Sequence, residues 1–401
     1  MGMYCPYKYA RYPSGLNYPW IVPMPSQEEG KRRWLAIRKS MKENKIGCLL
    51  VGSYSGYMPA NNRLYYLTNY IPIGAMGTYL VFPVDGEPRL CVNNIIGPQF
   101  LHMASETSWV TDIVSSFHPH HDVLSKLKEL NLQGTSLGIV DYVNGTFPAF
   151  VFDYLRDNLT GINITDASKM VEEAMNEISR SSEEELRMLR KACEILDLSF
   201  EAVMEVFRPG VSECELWAAA EYAILKNGGW YPHNMFVTSS PGPLFPRGPA
   251  SHRLLEIGDI TIFEINGTYG GVSPQICYAL SLGSPKKEVR EMFDLCEELY
   301  DYALAELEKQ RTFADIELDL ATRIHKIGYE PMTPQMHIYN MAVTMPMDGK
   351  PQPGDYFTVH PNLCDQDYTR GAKVGDPVRI STGRKVERLQ RTPPKLHIVQ
   401  V

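Results

Sequence analysis

The sequence predicts an α/β protein built as two domains, and three observations predict it. A chain of 401 residues is long for one hydrophobic core and comfortable for two. Across residues 28–165, short apolar runs alternate with amphipathic ones, as strands and helices alternate in an α/β domain that, with the arm before it, takes up residues 1–165. From Ser181 onward, two capped helices precede buried strands, and a second helix pair precedes further strand material.

The elements follow in order. Residues 1–27 are rich in Tyr, Pro and Gly, lack periodicity, and read as an arm. The spacing of Trp34, Ile37 and Met41 predicts an amphipathic helix over Glu28–Asn44. Gly47–Gly52 is a short buried strand, and Tyr79–Pro83 and Arg89–Asn93 are strands around the turn Asp85–Gly86. Ser136–Val143 is another strand, and Gly145–Asn158 leads into a helix. Residues 166–180 read as a linker with a helical stretch over Met170–Asn176.

The second domain, residues 181–401, opens with a hydroxyl cap at Ser181–Ser182, acids at Glu183–Glu185, and apolar Leu186, Leu189, Ala192 and Leu196 behind them. Arg208-Pro209-Gly210 stops that helix, Ser212 with Glu215 opens the next, and Gly228–Gly229 ends it. Strands are predicted over Ile260–Asn266, Gln275–Leu280, Tyr356–Pro361 and Pro377–Ser381. Helices are predicted over Lys287–Gln310 and Asp315–Ile327.

Composition excludes several classes. A formal charge of −8 without a basic stripe argues against nucleic acid as the partner; Arg384–Arg391 is short and interrupted. No apolar run reaches the ~18 residues of a membrane span, so no membrane partner is expected. The N-terminus has no signal-like apolar segment. The eight cysteines are scattered without a CxxC pair, which suits reduced thiols in the cytoplasm. His118, His120 and His121 read as a solvated loop of the first domain.

Three stretches carry a resemblance. VTSSPGPLFPRGPASHRLLEIGD (Val237–Asp259) resembles a prolidase segment that runs through a turn to Gly-Asp. PGDYFTVHPN (Pro353–Asn362) is similar to the strand that ends in Glu-Pro, and NRLYYLTNY (Asn62–Tyr70) is similar to a piece of creatinase and prolidase N-domains. With the helix order around them, the chain resembles the pita-bread family of creatinase, prolidase and methionine aminopeptidase. That resemblance implies a creatinase-like N-terminal α/β domain and a C-terminal pita-bread domain.

The resemblance also assigns residues. The family holds two divalent ions with Asp, Asp, His, Glu and Glu, a set suited to generating hydroxide and polarising a carbonyl. Here those positions fall on Glu264, Gln275, His337, His360 and Gly375. Substrate-side positions fall on Arg247, Thr344 and Met345. The implied reading is that the two-ion centre is dismantled.

The first expectation is therefore a metal-independent, creatinase-like hydrolase or lyase that cleaves a C–N bond in a small anionic or dipolar substrate, without a cofactor. His337, His360 and Glu264 are the acid/base candidates. Arg247, Gln275 and His233 are the substrate-binding candidates. Three alternatives stay open: an enzyme with one divalent metal ion on His337, His360 and Glu264, a non-catalytic binding protein, and an Xaa-Pro peptidase. The resemblance further implies a homodimer.

Overall fold

In a computed structural model, residues 25–53, 63–70, 77–93, 108–141, 147–230, 235–245, 248–337 and 347–400 are described. The chain divides between Ile178 and Ser179 into two compact units.

The first unit contains helices α1 (Gln27–Glu43), α2 (Arg63–Thr68), α3 (Pro119–Glu129), α4 (Ala149–Asn158) and α5 (Ser168–Arg180), the last of which crosses the division. Its strands are β1 (Ile46–Ser53), β2 (Thr78–Pro83), β3 (Arg89–Asn93), β4 (Asp112–Ser116), β5 (Ser136–Val140) and β6 (Asn163–Asp166), in the sheet order β4-β3-β2-β1-β5-β6. β1 is central, antiparallel to β2 and parallel to β5. Such a strand has both faces covered, which is why its sequence is an unbroken apolar run. Ser26 caps α1 by accepting from the Glu29 N–H at 3.1 Å, and Ile37 and Met41 on the inner face are fully buried.

Residues 166–180 are the end of β6 followed by α5; the helix foreseen over Met170–Asn176 runs longer at both ends, and its Val171, Met175 and Ile178 repeat at helical spacing and are buried. One reading is corrected here. The histidines are not in a loop: His118 precedes α3, and His120 and His121 lie in its first turn, where Pro119 presets the helical φ.

The second unit contains α6 (Glu183–Val206), α7 (Glu213–Lys226), α8 (Lys287–Glu308) and α9 (Phe313–Lys326). Its strands are β7 (Met235–Ser240), β8 (Ile260–Asn266), β9 (Gln275–Leu282), β10 (Met336–His337), β11 (Tyr356–Val359), β12 (Asn362–Cys364), β13 (Gly371–Lys373), β14 (Asp376–Ile380), β15 (Val386–Arg388) and β16 (Leu396–Val399). They form sheets β16-β9-β8-β7 and β10-β11-β14-β15 and the hairpin β12-β13. Ser212 and Glu215 make a reciprocal capping box at α7, and Ser182 and Thr312 cap α6 and α9.

Two cores sandwich the first of these sheets. Ile195, Phe200 and Val203 of α6 and Leu216 and Ile224 of α7 pack with Phe263, Ile265, Ile276 and Tyr278. Phe293 and Leu307 of α8 and Ile316 and Leu320 of α9 pack with Ile260, Ile262 and Ala279. Alternate residues of β8 and β9 thus belong to different cores, as the period of two in a strand requires.

Candidate active site

That alternation decides which polar side chains meet. Glu264 follows Ile260 and Ile262 on the α8/α9 side of β8. Register places Glu264 opposite Cys277 and Asn266 opposite Gln275, so Glu264, Asn266, Gln275 and Cys277 share one buried face. The Gln275 amide donates to Glu264 Oε1 at 2.8 Å and to Asn266 Oδ1 at 3.2 Å. The Cys277 thiol approaches Glu264 Oε2 at 3.8 Å, and burial raises it far above the ordinary thiol range, so it stays protonated. Tyr278 takes the opposite face and donates its hydroxyl to the Thr392 carbonyl at 2.9 Å.

A second segment brings a cation to this face. Gly375 and Cys277 exchange two main-chain hydrogen bonds of 2.8 Å, stitching the chain after β13 onto β9. Lys373 stands two residues earlier, and its ammonium pairs with Glu264 Oε2. The lysine is only 2% exposed, and its Nζ lies 5.0 Å from the centre of the Phe245 ring.

The imidazoles arrive from β10 and from the end of β11. Their ring centres are 4.4 Å apart. His360 is fully buried, and neither of its ring nitrogens has a hydrogen-bond partner among the described residues. Burial first, then the positive neighbours Lys373 and His337, hold it well below the usual imidazole range, so the ring is neutral. The main chain on both sides is fixed. The His360 N–H donates to the Gln335 carbonyl at 2.9 Å, the Asn362 N–H donates to Gln335 Oε1 at 2.9 Å, and Asn362 Oδ1 accepts from the Met332 and Thr333 N–H groups at 2.9 and 2.8 Å. Glu317 of α9 accepts from the Gln335 and Met336 N–H groups at 3.0 and 2.6 Å, which anchors β10.

The hairpin that carries Lys373 is closed by Asp365. Burial alone would raise its carboxyl, but the Thr369 hydroxyl and N–H and the Arg370 N–H and guanidinium outweigh this and bring it to about 2. A carboxyl lowered by folding stabilises fully above its unfolded value near ~4, and that stability is lost as pH falls toward ~2. Asp365→Asn is therefore expected to lower the urea-unfolding free energy at pH 7 by about 1 kcal/mol, a charged-group hydrogen-bond value reduced for solvent access. The gap to the unsubstituted protein should close between about pH 4 and 2; a gap that stays constant would contradict this role.

Of the residues singled out in the sequence, Glu264 and Gln275 bond each other directly. His337 and His360 lie against each other with their ring planes tilted by 57°, and the charge of Lys373, which pairs with Glu264, also acts on His360. Arg247 and His233 lie outside the described residues, as do Thr344 and Met345. The set His337, His360 and Glu264 is not assembled around one ion position: among the described residues, no three His, Cys, Asp or Glu side chains form a metal-holding group. Lys373 and Cys277 went unread in the sequence. Their signal was the period of two, since each lies two residues from a position already marked, Gly375 and Gln275.

The comparisons with known proteins decide the family. Residues 187–382 match the model of metallopeptidase family M24, and residues 33–174 match the creatinase/prolidase N-terminal domain. The chain belongs to metallopeptidase family M24. It is 24% identical over 303 residues to the Xaa-Pro dipeptidase of Pyrococcus furiosus, which covers 75% of this chain and 78% of the relative. An Xaa-Pro dipeptidase structure from Bacillus anthracis superposes with a TM-score of 0.74 at 19% identity, over 92% of this chain and all of that one. A prolidase from Thermococcus sibiricus gives 0.76 at 22% identity, over 92% of this chain and 99% of the other.

These relatives bear out the pita-bread architecture with its creatinase-like N-terminal domain, and an M24 member is an enzyme of the hydrolase class. They overturn the first functional expectation. The relatives are Xaa-Pro dipeptidases and prolidases, so a metal-independent creatinase-like C–N lysis gives way to the peptidase alternative. The expectation of no cofactor is overturned by the same match, because the family is one of metallopeptidases.

What the described side chains offer a pair of ions is a separate matter of geometry. Gln275 is a neutral amide that turns its N–H group toward Glu264. The Lys373 ammonium lies against the only carboxylate among the five assigned positions. Gly375 has no room for a side chain, since a Cβ there would lie 2.1 Å from the Val359 carbonyl oxygen and 2.3 Å from His360 Cα. The residues at these positions do not fit a pair of divalent ions.

Proposed function

We propose that this M24 member hydrolyses short peptides at an Xaa–Pro bond. The observation that carries the reading is the match to an Xaa-Pro dipeptidase across three quarters of the chain, and the buried polar cluster of Glu264, Gln275, Lys373 and His360 supports it. In such a hydrolysis the C–O bond to water forms, the C–N bond to proline breaks, and the proline nitrogen gains a proton. The neutral His360 imidazole suits the proton traffic, since one ring nitrogen accepts while the other donates. Lys373 supplies a fixed positive charge beside it. Gln275, with Arg247 and His233, stays assigned to substrate binding, and His337 with Glu264 to proton handling. The seven described cysteines are all free, which supports a cytoplasmic setting, and a homodimer belongs to the same reading.

The test is proline release from a panel of Xaa-Pro dipeptides, with and without added Mn²⁺, Co²⁺ or Zn²⁺. Release of proline from at least one dipeptide, above that from the matching Xaa-Ala peptide, is expected. A folded protein that releases none under any of these conditions would defeat the proposal.

A further inference from the structure

Glu264 has both oxygens engaged. Oε1 accepts from the Gln275 amide at 2.8 Å, and Oε2 faces the Lys373 ammonium and the Cys277 thiol. A divalent ion seated on this carboxylate would have to displace the ammonium. Lys373 has little freedom to leave. It is buried, it lies beside Phe245, and its strand is pinned on both sides, by the hairpin to Asn362 and by the Gly375–Cys277 hydrogen bonds. Withdrawing it would also strand one buried charge on each side, a change far costlier than keeping the pair.

We infer that Lys373 is the resident cation of this site, paired with Glu264 so that a divalent ion is excluded from that carboxylate. The lysine gives the buried acid a counter-charge through a covalently tethered group, whose presence does not depend on ion concentration. Any divalent ion that the protein takes up therefore binds without Glu264. The inference concerns ion placement and stands whichever substrate the enzyme accepts.

Calorimetric titration of metal-free full-length protein with MnCl₂ tests it. The expected result is that Glu264→Gln changes Mn²⁺ affinity by less than threefold, or that neither protein takes up Mn²⁺. A loss of more than threefold in the folded Glu264→Gln protein would make Glu264 a ligand and overturn the inference. Should that variant fail to fold because it strands the ammonium, Glu264→Gln/Lys373→Met removes both charges and carries the same comparison. Circular dichroism verifies the fold, and because binding is read directly, an absence of peptidase activity leaves the result interpretable.

Discussion

His360→Gln is expected to lower kcat/KM for an Xaa-Pro dipeptide by ~10²–10⁴-fold, the range typical of a lost acid/base group. The neutral imidazole is fully buried, and no described residue bonds either ring nitrogen, so both remain available for proton exchange in the cluster. Glutamine approximates the ring's volume and can neither accept nor release a proton near neutrality, which separates chemistry from packing. Stability should fall by no more than about 1.5 kcal/mol, as for near-isosteric core changes. A variant that retains more than a tenth of the original kcat/KM would remove His360 from the proton path.

The second large effect is on folding. Gly375→Ala is expected to cost about 3 kcal/mol, the upper end of overpacking penalties, because the new Cβ meets main-chain atoms and not the end of a flexible side chain. Gly375→Glu, which restores the acid assigned to this position by the resemblance, should be worse and should not gain ion binding. The midpoint of urea unfolding measures both. An alanine variant as stable as the original would mean that the segment before β14 can shift outward, and with it the Cys277 pairing.

Much of the framework was legible in the sequence. The caps at Ser182 and Ser212, the stops at Gly210 and Gly228, and the largely apolar strands β1, β8 and β9 are local signals, and the elements lie within a few residues of where those signals place them. Strands β10, β12 and β13 are two or three residues long and have no period to read, because their position comes from tertiary pairing. Lys373 was hidden for that reason. A lysine in GAKVGD reads as a solvated turn until Glu264, 109 residues earlier in the chain, is placed against it. The substitutions at the five assigned positions are legible too, and on their own they point to a change of reaction. Side chains at a few positions report on ligands, whereas similarity spread over the whole fold reports on descent, and here the latter points to peptidases.

Gln335 and Asn362 have a consequence for how this centre can vary. Their hydrogen bonds clamp the segment leading to His337 onto the residues around His360, through one main-chain bond and through the Gln335 and Asn362 side chains. The main-chain positions that carry the two rings are thereby tied to each other. Retuning of substrate preference will have to come from the walls opposite the pair, because a change in their separation would first have to undo the clamp.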